Sequence, residues 1–86
     1  MKTYKVYILY VGDAWLSRSS LTNMGVFSSR LNAIKAFVEN AGIEDKNTIA
    51  KMAESLKMQG QTQGGEENWM ICEYELEVFR KNEFIA

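Results

Sequence analysis

The chain has 86 residues, 47% of them apolar and 24% charged, with a formal net charge of −1. That length leaves room for one core, so residues 1–86 read as a single globular domain, and the near-neutral charge argues against general nucleic-acid binding. A single cysteine, Cys72, and no histidine exclude an internal disulfide and the usual cysteine–histidine zinc site.

Residues 2–11 predict a first strand, rich in tyrosine and β-branched side chains. Beyond Lys5 it lacks polar alternation, so both of its faces should be covered, as in a central strand. Its apolar run, residues 6–11, is too short to span a membrane and has no signal-peptide pattern; with one unpaired thiol, this points to the cytoplasm. Gly12 and Asp13 open a turn, residues 17–20 form a polar tip, and residues 21–27 read as a second strand in an antiparallel hairpin, with Gly25 at a bulge or a close backbone contact.

Ser28 or Ser29 then caps a helix that stops at Gly42, with Leu31, Ile34, Phe37, Val38 and Ala41 sharing one face. A second helix starts from Asp45 or Asn47 and ends at Gly60, its apolar stripe being Ile49, Met52, Ala53 and Leu56. Residues 61–68, QTQGGEEN, read as a disordered polar loop. Residues 69–79 predict the last strand. Met70, Cys72, Tyr74, Leu76 and Val78 share one face; Glu73, Glu75 and Glu77 share the other, joined at its start by Trp69 and Ile71. Residues 80–86 read as a short tail.

The order strand, strand, helix, helix, strand gives an α+β fold, ββααβ. Its three-stranded, mainly antiparallel sheet has order 2-1-3, with both helices on one face and a right-handed crossover. Cys72 is expected on the helix side, as a buried core thiol. Tyr7, Leu9, Trp69 and Ile71 are then candidates for the uncovered face and for the interface of a homodimer, since bare apolar sheet faces mark contacts.

Charge is uneven along the chain. Up to residue 35 there are Lys2, Lys5, Arg18, Arg30 and Lys35 against Asp13 alone, whereas residues 66–77 hold Glu66, Glu67, Glu73, Glu75 and Glu77 and no base. Pairing of oppositely charged strands explains this, although an acidic strip could also imitate nucleic-acid phosphates. Without histidine the commonest general base is missing, and no phosphate loop, dinucleotide fingerprint or metal-ligand spacing is present; the expectation is a protein with no enzymatic activity, cofactor or metal.

The most suggestive stretch is residues 12–20. Asp13, Trp15, Ser17, Arg18, Ser19 and Ser20 place an indole, a guanidinium, a carboxylate and three hydroxyls together. Such groups suit a protein hot spot. They also suit a nucleotide-type ligand held at a dimer interface, with Trp15 stacking and Arg18 and the serines holding anionic oxygens. Equally, Trp15 could fold onto the core and leave a wet hairpin tip.

The segments KVYILYVGDAW, GVFSSRLNAIKAF and ICEYELEVF together resemble small bacterial and phage proteins of β-β-α-β order that carry no assigned activity. The resemblance implies a phage or mobile-element accessory protein that binds or inhibits a host protein, and it transfers no functional residue.

Overall fold

The computed structural model of the protein describes residues 2–78 and 84–85. Its elements are β1 (Lys2–Asp13), β2 (Thr22–Phe27), α1 (Arg30–Asn40), α2 (Lys46–Gln59), β3 (Glu67–Val78) and β4 (Phe84–Ile85), with a short 3-10 turn at Arg18–Ser20. β1 pairs antiparallel with both β2 and β3, so the predicted order β2-β1-β3 is found, and β4 adds two residues to the outer edge of β3. Of the predicted tail, residues 80–83 and 86 lie outside the described residues.

Local chemistry sets the helix ends. The Ser29 hydroxyl accepts the Asn32 amide at 3.1 Å, and the Asp45 carboxylate accepts the Asn47 amide at 3.1 Å and the Thr48 hydroxyl at 2.6 Å. Both satisfy donors that a first helical turn leaves free. Gly60 ends α2 in the left-handed conformation, φ +81°. Gly25, opposite Leu9 where the β1–β2 register shifts, has φ +155°, and a Cβ there would stand 2.8 Å from the Phe27 ring. A bulge at this point needs glycine.

The core lies between one face of the sheet and the two helices. Leu9, Trp69 and Ile71 are 2–5% exposed and meet Ala33, Phe37 and Leu56. Phe37 of α1 and Trp69 of β3 form an edge-to-face pair, with centroids 5.1 Å apart and planes at 73°. Tyr7 packs at the margin, with the Arg30 guanidinium 5.7 Å over its ring.

This placement corrects the expected sides of the sheet. Leu9, Trp69 and Ile71 are core, Tyr7 packs against it, and Cys72 lies on the opposite, uncovered face. Length explains why the glutamates mislead. β1 and β3 have 12 residues each, about 40 Å of strand. The helices, of 11 and 14 residues, reach only about 16 and 21 Å. Glu73 and Glu75 therefore share the helix-side face with Ile71 but lie beyond the helices. There Glu73 and Glu75 stand opposite Tyr7 and Lys5, and Lys5 approaches Glu73 at 3.7 Å. This exposed ion pair is worth at most about 1 kcal/mol.

Two further expectations change. In α1 the buried positions are Ala33 and Phe37, while Leu31 and Val38 are exposed, so the buried stripe is rotated from the predicted one. The 61–68 loop is ordered and clamped at both ends. Thr62 donates its amide to the Trp69 carbonyl and its hydroxyl accepts the Trp69 amide, both at 2.9 Å. Buried Asn68 accepts the Thr62 hydroxyl at 3.0 Å and donates to the Ala14 carbonyl at 3.0 Å.

Phe37→Ala should lower stability by about 3–5 kcal/mol, whereas Leu31→Ala should change it by less than about 0.5 kcal/mol. Denaturant unfolding checks this, and comparable losses from the two would contradict the observed rotation of α1.

Candidate functional site

β1 ends at Asp13, and the chain must turn there to return as β2. The turn is built on the Asp13 carboxylate. Oδ1 accepts the Trp15 amide at 3.1 Å and the Ser17 amide at 2.9 Å, while Oδ2 accepts the Ser17 hydroxyl at 2.5 Å. The Ser20 hydroxyl accepts the Asp13 amide at 3.0 Å and donates to the Ser17 carbonyl at 2.7 Å. Within this frame Leu16 takes a left-handed conformation, φ +52°, which leucine adopts only where its surroundings over-determine it. Asn68 braces the same loop from β3 through Ala14.

The six predicted contact residues thus divide into two groups. Asp13, Ser17 and Ser20 use their polar atoms to hold the loop. Trp15, Arg18 and Ser19 face outward, and Trp15 is 86% exposed, so its indole does not fold onto the core. Hydrogen bonds from Ser17, first by its hydroxyl and then by its amide, hold the Asp13 carboxyl below its ordinary value of 3.8. Hydrogen bonds from Thr48 and Asn47 do the same for Asp45.

The second surface is the sheet face away from the helices. Strand alternation turns Tyr4, Val6, Ile8 and Tyr10 of β1 to this side, and register places Val26 of β2 and Met70, Cys72 and Tyr74 of β3 beside them. At the hairpin end Leu16 and Leu21 fold over this face beside Gly12; the two helices lie on the other side, and Tyr4 and Val26 are 50% and 58% exposed. Where this face meets the loop, an open hollow of about 530 Å³ is lined by Tyr10, Leu16, Arg18, Leu21, Met70, Cys72 and Tyr74. Hydrogen bonding to Tyr10, and then the electrostatic influence of neighbouring Cys72, push the Tyr74 phenol up to about 12. Tyr74 is therefore neutral at physiological pH, and only Arg18 at the rim brings charge to the hollow.

Sequence reasoning missed Leu16, Thr62 and Asn68, which shape the loop, and assigned the wrong set of residues to the open face. Alternation alone could have proposed the Ile8/Tyr10/Met70/Cys72 set, since both parities are apolar there. Among the described residues, no three acidic or thiol groups are gathered to hold a metal ion, and no helix is long and apolar enough to cross a membrane. The chain matches no protein-family profile, no curated protein and no solved structure.

The depressed carboxyls make the fold sensitive to acid. Each contributes stability that is complete above its unfolded value near 3.8 and is lost as pH falls through the lower folded value. Thermal melts should therefore hold steady down to about pH 4 and drop below it. Asp13→Asn should lower the neutral-pH melting point and flatten the acid limb. An unchanged limb would show that the loop carboxylate does not contribute.

Proposed function

We infer that the protein is a small non-enzymatic interaction module that grips another protein through its hairpin tip. Trp15 is the anchor and Arg18 a polar contact beside it. One observation carries this reading: a fully presented indole stands on a loop whose backbone is already fixed by the Asp13 and Ser20 hydrogen bonds. An exposed aromatic anchor on a pre-set backbone has less backbone ordering entropy to lose on binding, and tryptophan and arginine are enriched in binding hot spots. A phage or mobile-element accessory that binds or inhibits a host protein is the concrete form we favour, and it rests on the sequence resemblance alone.

A nucleotide-type ligand is less favoured. Asp13, Ser17 and Ser20 turn their polar atoms into the loop, leaving Arg18 and Ser19 to meet anionic oxygens.

Trp15→Ala and Arg18→Ala should each weaken a partner recovered from host cytosol, with Trp15→Ala costing roughly 30-fold or more in direct titration. Both should leave stability within about 0.5 kcal/mol of the wild type. Undiminished affinity would refute the tip as the contact. A rise in melting point with added nucleotides would favour the ligand instead.

A further inference from the structure

We propose that the open face of the β2-β1-β3 sheet is covered by a second copy of this chain, sheet packed against sheet about a two-fold axis. Area, chemistry and the state of the sheet edges support it, and none of the three depends on the role given to Trp15.

The protomer exposes 6384 Å². A compact monomer of 9.8 kDa is expected to expose about 5,200 Å². The excess of about 1,200 Å² is larger than the roughly 800 Å² that each partner of a standard complex buries. Shape agrees: the radius of gyration is 14.3 Å, where about 12 Å is expected for this length. Part of the excess belongs to the ribbon end beyond the helices. That end carries Tyr4 on the same open side, 50% exposed.

The chemistry of the face favours a copy over a foreign partner. From Val6 to Tyr10 and from Met70 to Tyr74 the residues turned to this side carry no charge, while Lys5, Glu73 and Glu75 point to the other side. A self-complementary contact places like residues near like, which charged groups resist and neutral ones allow. Lasting homodimer interfaces are apolar in this way and resemble a core cut in half.

The edges favour stacking over edge-to-edge extension. The outer edge of β3 is occupied at Met70 by a bridge from Gln61, with Gly60 accepting the Ile71 amide at 2.8 Å, and at Glu77 and Val78 by β4. Between them stand Glu73 and Glu75, whose carboxylates discourage pairing with another strand. β2 is short, six residues, and broken by its bulge.

Wild-type protein should sediment across micromolar concentrations at twice the protomer mass of 9.8 kDa. Val26→Glu puts an unpaired charge at a position exposed in the protomer and should weaken self-association roughly 30-fold or more. Leu31→Glu, on the exposed side of α1, should leave self-association unchanged. If Val26→Glu fails to fold by circular dichroism, Tyr74→Lys carries the same test. A 9.8 kDa species throughout, or a dimer indifferent to charge on this face, overturns the proposal. So does a monomer whose Val26→Glu variant loses a foreign partner. Trp15→Ala should leave the dimer intact, so failure of the tip reading and failure of this one are separable.

Discussion

The edge-to-face contact between Phe37 and Trp69 decides which side of the sheet is inside. Burial supplies most of the energy: removing a large apolar side chain from water is worth about 1.5–3 kcal/mol, and the ring geometry adds roughly 0.5–1.5 kcal/mol. The consequence is greater than those numbers. A strand has two faces in strict alternation, so fixing Trp69 inward fixes Ile71 inward, and register carries the choice to Val11 and Leu9. Thr62, bonded to both backbone groups of Trp69, holds that residue in place from the other side. One aromatic pair, with the clamp behind it, thus orients three strands.

Element order was legible in the sequence because its signals are local. Ser29, Asp45 and Gly60 act within a turn or two of their own positions, and the spacing of Ile49, Met52, Ala53 and Leu56 faces the core as it predicts. Sidedness was not legible because it is a long-range property. Ile8/Tyr10 and Leu9/Val11 are equally apolar, and the tie was broken in the wrong direction by Glu73 and Glu75. Those glutamates report only that the ribbon outruns its helices. The rotation of α1 has a related cause. A count of apolar character ranks Leu31 above Ala33, yet a small residue is what lets a helix backbone approach a sheet closely, and Ala33 is fully buried.

The hairpin tip shows the same division at smaller scale. Composition announced the right residue types, but their roles depend on hydrogen bonds that exist only once the backbone has turned. That turn passes through Leu16 at a positive φ, a conformation nothing in the local sequence suggests. Asp13, Ser17 and Ser20 looked like ligand contacts and prove to be the frame. Trp15 had two opposite readings, and the frame decides between them by directing the indole into solvent.

Charge and apolar surface end up on different parts of the molecule, and this separation follows from the mismatch between long strands and short helices. Lys5, Glu73 and Glu75 occupy the stretch of the helix-side face that the helices cannot reach, where water solvates them and Lys5 partly neutralises the acids. Among the described residues Lys5 is the base that meets this acidic strip, so cross-strand pairing accounts for only part of the uneven charge along the chain. Over residues 6–10 and 70–74 the opposite face receives the remaining alternate residues of β1 and β3, and these are valine, isoleucine, tyrosine, methionine and cysteine. A domain of this size has little burial to spare, so leaving that face to water would forgo apolar contact that a small core can least do without. The same alternation that builds the core therefore produces, on its reverse, a surface whose chemistry is that of an interior.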